Sequence, residues 1–326
     1  MIVVTGASGL VGGNLVRALL SQGRPVRALV HHDRRALEGL DVETSSADLN
    51  DPASLEQAFR GTQVVYHLAS TISIRMDNWA ELERVNVNGT RNAVEACLRC
   101  GVRRLVYFSS IHAYQQEPFD QPLDETRPLL IDGHAPPYER SKAAAELIAR
   151  QAPQRGLDTV IIIPTAILGP YDFRPSYLGQ ALQMLVNRRI PALVHGGYDW
   201  VDVRDVVAGA VQAERLAPSG ARYILSGHWH TLQDVACLTA EISGKAAPRF
   251  TVPAWLAGLA QPVMAKLADL NGSQPLYTRA MLKALRSNRQ ISHANATREQ
   301  GYTPRPFELT LKDTLDWFIG QQAGHS

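Results

Sequence analysis

The sequence predicts an α/β protein that contains a doubly wound parallel sheet and a smaller α/β lobe toward its C-terminal end. The first half of the chain alternates short runs rich in valine, isoleucine and leucine with amphipathic stretches, which is the pattern of βα units. After about Pro164 this rhythm loosens. Because the chain has 326 residues, more than one average domain needs, we expect one domain at residues 1–165 and a second lobe at residues 166–326. Segments around residues 190–216 are expected to return to the first domain.

Each element of this fold is predicted from a run of residues. The strands are predicted at Ile2–Thr5, Val26–Val30, Val42–Ser46, Val64–Leu68, Leu105–Ser109 and Thr159–Ile163. The helices between them are predicted at Leu10–Gln22, Pro52–Arg60, Trp79–Cys100 and Tyr138–Gln154. Later helices are predicted at Ser176–Asn187, Asp205–Leu216 and Leu232–Ser243, with Asp205 as a capping residue. Such regular alternation in the first half favours a doubly wound sheet.

Charge and cysteine content narrow the class of protein. The net charge is +2 and lysine and arginine are scattered, so we expect no nucleic acid as a partner. Three cysteines are too few for a disulfide framework and suit a reducing compartment, which favours the cytoplasm. We interpret Cys97 and Cys100 as packing residues of a helix rather than a redox pair. The uncharged run Phe250–Ala265 is shorter than the roughly 18 residues of a spanning helix, and no membrane contact is expected.

A glycine-rich turn follows the first predicted strand. It reads Thr-Gly-Ala-Ser-Gly-Leu-Val-Gly from Thr5 and opens the first predicted helix, which is the context in which such a pattern indicates dinucleotide binding. Glycine lets the backbone approach a pyrophosphate, which then lies against the N–H groups at the helix start. A Rossmann-type dinucleotide-binding domain is therefore predicted for residues 1–165. The residues predicted to contact the cofactor here are Gly6, Ser8, Gly9, Leu10, Val11 and Gly12.

The end of the second predicted strand indicates which cofactor is bound. An acidic residue there accepts hydrogen bonds from the adenosine ribose and repels a 2′-phosphate. In this chain His31, Arg34 and Arg35 are more prominent than the single carboxylate of Asp33. We therefore predict NADP, bound with the help of these three cationic or basic residues, and keep NAD as the alternative because Asp33 can reach a ribose.

A tyrosine, a lysine and a serine form the candidate catalytic set. Tyr138 and Lys142 lie four residues apart, on one face of a predicted helix. A nearby ammonium favours the phenolate and so lowers the pKa of a tyrosine from its usual value near 10. Ser110 follows the fifth predicted strand, at the carboxyl edge where open α/β sheets bind ligands. We predict that Ser110, Tyr138 and Lys142 are catalytic and that Tyr138 and Lys142 also contact the cofactor.

Further segments complete the pattern of a known family. They include Asn-Val-Asn-Gly-Thr from Asn86, Ile-Pro-Thr from Ile163 and Gly-Tyr-Thr-Pro-Arg-Pro from Gly301. Together with the glycine turn, Ser110 and Tyr-x-x-x-Lys, they resemble the extended short-chain dehydrogenase/reductases of the NAD-dependent epimerase/dehydratase family. Within that family the chain is most similar to the dihydroflavonol 4-reductase-like branch.

The resemblance implies a role for each matching residue. Tyr138 would exchange a proton with the substrate, Lys142 would bind the nicotinamide ribose, and Ser110 would orient the substrate carbonyl. The other implied cofactor contacts are Asp48 and Leu49 at the adenine, Leu68, Ala69, Ser70 and Asn86 at the nicotinamide ribose, and Pro164 and Thr165 at the carboxamide. A homodimer contact through the helices at Trp79–Cys100 and Tyr138–Gln154 is implied as well. No metal is implied.

Three functions are open at this point. The leading one is reduction of a ketone or aldehyde of a small organic substrate by hydride transfer, with Tyr138 as acid/base. The second is a nucleotide-sugar epimerase or dehydratase with tightly bound NAD. Family members of that kind carry an arginine where this chain has Tyr198 and Asp199, so a diphosphate lacks that anchor unless Arg174 replaces it. The third is an NADP-binding sensor without catalysis, against which the Tyr/Lys pair counts.

Overall fold

The parallel sheet predicted for the first half is confirmed. The computed structural model describes residues 1–31, 33–73, 78–259 and 278–323. Within these ranges the main sheet has seven strands, each parallel to its neighbours: β1 (Ile2–Thr5), β2 (Val26–Leu29), β3 (Glu43–Ser45), β4 (Val64–His67), β5 (Arg104–Phe108), β6 (Asp158–Pro164) and β10 (Arg222–Leu225). Their order across the sheet is β10, β6, β5, β4, β1, β2, β3.

Helices cover both faces of the main sheet, as expected of a doubly wound fold. One face carries α1 (Leu10–Ser21) and α7 (Val203–Leu216), and the other carries α2 (Pro52–Phe59), α4 (Gly89–Arg99) and α5 (Pro137–Gln151). Alternate strand residues enter the two cores: Val4 and Tyr66 enter the first, and Val3 and Val65 enter the second. Since every residue of β1 and β4 is buried, these strands appear in the sequence as nearly continuous apolar runs.

The helix predicted at Trp79–Cys100 is less regular than expected. A short α3 (Trp79–Leu82) continues as a π-helical stretch (Glu83–Asn88) and only then becomes α4. π-Helical insertions are frequent at functional sites, and this one contains Asn86. Cys97 is buried in the core under α4, which agrees with a packing role, and burial raises the pKa of the Cys97 and Cys100 thiols.

The second lobe is built on two small sheets. In one, the strand order is β11 (His228–Thr231), β9 (Gly197–Asp202) and β7 (Ala166–Leu168); in the other, β8 (Leu193–Val194) pairs with β12 (Thr251–Val252). The helices of this part include α6 (Tyr177–Val186), α8 (Leu232–Ser243), α9 (Arg279–Ala284), α10 (Ala294–Gln300) and α11 (Phe307–Ala323). Trp200, Phe307 and Leu311 lie in its hydrophobic core.

The chain returns from the second lobe to the main sheet through α7, β10 and α10. α7 packs against α1, and β10 then joins the main sheet beside β6, with Ile224 opposite Ile163. α10 packs on α7 and β10. The segments expected to return, around residues 190–216, thus omit β10 and α10. The start of α7 also differs, because Asp202 rather than Asp205 accepts the capping hydrogen bond.

Among the residues that the structure describes, no helix has the length and apolar character needed to cross a bilayer. Residues 260–265 of the apolar run discussed above lie outside the described ranges.

Arg104 ties the main sheet to the end of α7 from inside the protein. Its guanidinium donates to Asp158 Oδ2 at 2.7 Å and to the carbonyl oxygens of Glu214 and Ala217 at 2.6 and 2.9 Å. Arg104→Ala would leave these buried acceptors without a donor. We expect the free energy of unfolding, measured by urea denaturation, to fall by about 2–4 kcal/mol.

Arg99→Ala is the matched control for this variant. The exposed Arg99 side chain forms a surface ion pair with Glu56, and its loss is expected to change the free energy of unfolding by less than about 1 kcal/mol. Equal losses in the two variants would contradict the role given to Arg104.

Candidate active site

The glycine turn between β1 and α1 is tightly folded. Gly6 has a φ of +69°, which favours glycine, and a Cβ there would lie 2.8 Å from the Ala69 nitrogen. A Cβ on Gly12 would lie 2.1 Å from the Gly6 carbonyl oxygen. Gly9 has no side chain to cap α1, so the first N–H groups of the helix keep their anion-binding capacity. The turn therefore fits a pyrophosphate. The N–H groups concerned belong to the first turn of α1, which comprises Leu10, Val11 and Gly12.

The loop after β2 lies against the glycine turn. Ser8 donates a hydrogen bond to the Asp33 carbonyl oxygen at 2.5 Å. The Asp33 carboxylate accepts from Arg35 through both oxygens, at 3.0 Å (Nε to Oδ1) and 2.6 Å (Nη2 to Oδ2), and these bonds lower its pKa. Arg34 is exposed beside this ion pair. The negative charge of Asp33 is thus already offset by Arg35.

The segment after β3 lies near His31. Asp48 Oδ1 accepts hydrogen bonds from the backbone and side-chain nitrogens of Asn50, at 2.9 and 3.0 Å. These bonds, with smaller contributions from the charges of His31 and Arg84, lower the pKa of Asp48. Leu49 follows and is half-buried. The structure thus brings His31 and Asp48 together at the carboxyl edge of β2 and β3.

Ser110, Tyr138 and Lys142 come together at the carboxyl edge of the same sheet. Ser110 follows β5, is 8% exposed, and accepts a hydrogen bond from the His112 nitrogen at 3.2 Å. Tyr138 is the second residue of α5, and its phenol lies close enough to the Ser110 side chain for Ser110 to affect the pKa of Tyr138. Lys142, one turn further along α5, is buried, and its Nζ donates to the Phe108 carbonyl oxygen at 2.8 Å.

The pKa values of this set differ from the expectation. Burial raises the pKa of Tyr138 to about 12, and the neighbouring Ser110 side chain opposes this only in part. Burial lowers the pKa of Lys142 to about 8, while the Glu146 carboxylate acts in the opposite direction. The expectation that Lys142 lowers the Tyr138 pKa below 10 is therefore wrong, because burial of the phenol dominates. At neutral pH, Tyr138 keeps its proton.

Comparison with known proteins assigns the chain to a family. A sequence profile described as "NAD dependent epimerase/dehydratase family" matches residues 2–224. The chain belongs to this family. Sterol demethylase protein B of Methylococcus capsulatus is 35% identical over 97% of each chain. Cinnamoyl-CoA reductase 1 of Oryza sativa subsp. japonica is 33% identical over 70% of this chain and 71% of its own length. The crystal structure of gox2253 matches with a TM-score of 0.86 and 30% identity, covering 98% of each chain.

This epimerase/dehydratase family member is thus an NAD(P)-dependent enzyme of the extended short-chain dehydrogenase/reductase type, as the resemblance implied. The loop after β4 is fixed beside its glycine turn. Thr5 Oγ1 accepts from the nitrogens of Leu68 and Ala69, both at 3.1 Å, and is hydrogen-bonded to His67 Nδ1 at 2.9 Å. Burial lowers the pKa of His67 to about 3, so its ring is neutral. Ser70 follows and is exposed.

Asn86, in the π-helical stretch, joins the loop after β4 to α5. Its Oδ1 accepts from the Thr71 nitrogen at 2.7 Å, and its Nδ2 donates to the Thr71 carbonyl at 2.9 Å and to Ser141 Oγ at 3.0 Å. The amide therefore holds the loop in place. A contact between Asn86 and a cofactor ribose stays a prediction.

Pro164 and Thr165 lie where the main sheet meets the second lobe. Pro164 ends β6, and the Thr165 nitrogen donates to the Leu225 carbonyl at 3.4 Å. Nearby on β9, Asp199 is buried, and it accepts from the Gly227 nitrogen at 2.7 Å. Burial raises the pKa of Asp199. The Asp199 carboxylate therefore binds the backbone of Gly227. The resemblance implied a cation at this position in nucleotide-sugar enzymes.

Arg174 lies near Asp33 of the loop after β2. Its charge contributes to the lowered pKa of Asp33. The loop that carries it is held to α1 by a hydrogen bond from Asn14 to the Pro170 carbonyl at 3.0 Å, and by the Arg17 guanidinium, 4.5 Å from the Tyr171 ring centroid. Arg174 is therefore near the loop after β2.

Glu146 is the residue of this region that the sequence analysis missed. It lies one turn after Lys142 in α5 and is fully buried. The sequence contained a signal for this residue. Glu146 is a carboxylate four residues after Lys142, in a stretch that is otherwise apolar.

Proposed function

We propose that this enzyme reduces the carbonyl group of a small ketone or aldehyde with NADPH. The observation that carries the proposal is the proximity of the Ser110 and Tyr138 side chains, on the sheet edge that also carries the glycine turn. Two hydroxyl groups that meet in this way can both donate to one carbonyl oxygen. The name of one relative, Cinnamoyl-CoA reductase 1, supports reduction.

Each residue of the site has a defined part in this reaction. The glycine turn would hold the pyrophosphate, and Lys142 the nicotinamide ribose; when bound, the nicotinamide supplies the hydride for the substrate carbon. Ser110 donates a hydrogen bond to the carbonyl oxygen, and Tyr138 delivers the proton to that oxygen. Lys142 stabilises the phenolate left on Tyr138. Acid catalysis of this kind contributes typically about 10²–10⁴-fold.

The protonated form of Tyr138 is the form that carbonyl reduction requires. Reduction needs a phenol that can donate a proton, whereas oxidation of an alcohol needs the phenolate as base. Since the pKa of Tyr138 is about 12, the phenol is protonated at neutral pH and the donor form prevails.

Reduction is also favoured over nucleotide-sugar epimerisation by the residues on β9. The buried Asp199 is bonded to Gly227, and a carboxylate at this position repels a diphosphate instead of pairing with it. A sensor without catalysis is disfavoured because the catalytic set is assembled.

Incubation with NADPH and a panel of aromatic and aliphatic aldehydes and ketones tests the proposal. With NADPH deuterated at the transferable position, we expect stoichiometric cofactor consumption and one deuterium on the former carbonyl carbon, measured by mass spectrometry. The proposal would be overturned if NAD remained bound through purification and UDP-hexoses were interconverted without NADPH consumption.

Arg34 and Arg35 support NADP as the cofactor. Arg35 engages both oxygens of Asp33, so this carboxylate is a weakened acceptor for ribose hydroxyls. Arg34 is exposed next to it, where its guanidinium can form charge-assisted hydrogen bonds with a 2′-phosphate.

Replacing Arg34 with glutamate is expected to raise the KM for NADPH by about tenfold or more and to leave the KM for NADH nearly unchanged. A charge-assisted hydrogen bond is worth about 1.5–3 kcal/mol, and about 1.4 kcal/mol corresponds to tenfold in affinity. Steady-state kinetics with both cofactors measure the effect. Arg215→Glu, at an exposed position near the end of α7, makes the same change in net charge and serves as control. Equal rises for NADPH and NADH in Arg34→Glu would contradict the assignment.

A further inference from the structure

Glu146 lies at the centre of a buried polar network behind the catalytic residues. Its Oε1 accepts from the Tyr114 hydroxyl at 2.6 Å and from Arg150 Nη2 and Nε at 2.6 and 2.9 Å. Its Oε2 accepts from the Ser109 hydroxyl. Arg150 also donates to the Tyr114 hydroxyl, at 3.0 Å. A buried carboxylate with this set of donors is compensated on both oxygens.

The network holds the end of β5 in place, just before Ser110. Lys142 donates to the carbonyl oxygen of Phe108, and Glu146 accepts from the side chain of Ser109. Two side chains of α5, one turn apart, therefore hold two consecutive residues at the end of β5. Ser110 is the next residue, so its position depends on both contacts.

Glu146 also supplies a negative charge close to Lys142. Its carboxylate raises the pKa of Lys142 against the effect of burial. Arg150 pairs with Glu146, and Glu139, another carboxylate of α5, pairs instead with Lys283 at 3.6 Å. The remaining titratable groups described around Lys142 and Glu146 carry no charge near neutral pH. Burial lowers the pKa of His67 to about 3, and it raises the pKa values of Tyr107, Tyr114 and Tyr138, which are protonated near neutral pH in any case.

We propose that Glu146 is a positioning residue, which keeps the Lys142 ammonium protonated at the pH of catalysis and fixes the Ser109–Ser110 strand end against α5. This inference rests on the proposed function, because that function gives the charged form of Lys142 its role. The pKa of Lys142 is about 8 with Glu146 present. Without the carboxylate, burial is less opposed, so the pKa falls and Lys142 loses its proton at a lower pH.

Titration of Lys142 in the cofactor-free protein tests the inference directly. The chain has five lysines, so the ¹³Cε signals of labelled lysine can be followed by NMR and assigned with Lys142→Arg. In Glu146→Gln we expect the Lys142 midpoint to fall by about one pH unit or more. Tyr114→Phe removes one donor to Glu146 but keeps the carboxylate, and we expect its midpoint to match the wild type. An unchanged midpoint in Glu146→Gln overturns the inference.

Arg150→Gln keeps the inference testable if Glu146→Gln does not fold. It removes the cation that pairs with Glu146, so the Lys142 midpoint is expected to rise; a fall overturns the inference.

The pH dependence of kcat separates the inference from the proposed function. We expect the alkaline limb to move to lower pH in Glu146→Gln, with turnover recovered as the pH is lowered. If the midpoint moves and the kcat profile does not, the inference about Lys142 is supported and its catalytic role under the proposed function is contradicted.

Discussion

Replacing Tyr138 with phenylalanine is expected to lower kcat for carbonyl reduction by about 10²–10⁴-fold. The change removes the proton donor and leaves the aromatic ring in place. The Ser110 hydroxyl keeps its hydrogen bond with the backbone nitrogen of His112 and can still bind the substrate oxygen. NADPH affinity, measured by titration of cofactor fluorescence, is therefore expected to stay close to that of the wild type. The loss is expected in kcat measured at saturating cofactor.

Tyr223→Phe is the matched control for this experiment. Tyr223 lies on β10, and its hydroxyl donates to Glu299 at 2.7 Å, away from the catalytic set. We expect turnover in this variant to equal that of the wild type. Wild-type turnover in Tyr138→Phe would remove the basis of the proposed mechanism.

Gly12→Ala is expected to weaken NADPH binding by up to about 150-fold. The new Cβ would lie 2.1 Å from the Gly6 carbonyl oxygen and 2.8 Å from the Ala7 Cα. Both are backbone atoms that cannot rotate away, so the turn has to open and the N–H groups of α1 move from the pyrophosphate. Overpacking costs up to about 3 kcal/mol in typical cases, which corresponds to about 150-fold in affinity. Isothermal titration calorimetry measures the loss.

Gly320→Ala provides the matched comparison for the glycine turn. Gly320 lies in α11, where no described atom is within 4 Å of an added Cβ. Alanine is favoured over glycine within a helix, so this variant is expected to bind NADPH as the wild type does. If Gly12→Ala retained wild-type affinity, the glycine turn would not be the pyrophosphate site.

Features that depend on neighbouring residues were predicted well from the sequence. The strand followed by a glycine turn and a helix is a local signal, and so is the one-turn spacing of Tyr138 and Lys142. The strand ends come together because parallel strands share one carboxyl edge. For this reason the position of Ser110 beside Tyr138 could be expected, although the two residues are separated by a long segment.

Features that depend on distant partners could not be predicted. Asp202 and Asp205 are equally suited to cap a helix by type; in the folded chain Asp202 is the N-cap of α7, and the Asp205 carboxylate is bound by Arg305, which lies about a hundred residues away in the sequence. The pKa of Tyr138 depends on how deeply the phenol is buried, which its spacing from Lys142 does not show. Glu146 was missed for a similar reason, since Ser109 and Tyr114 become its partners only in the folded chain.

The pairing of β10 with β6 has a consequence for engineering. A fragment cut at residue 165 would lose the neighbour of β6, and an apolar strand would then expose its backbone N–H and C=O groups, which invites aggregation. A chimera that takes its substrate lobe from another family member therefore has to exchange individual loops, while β10 and α10 stay with the parent protein.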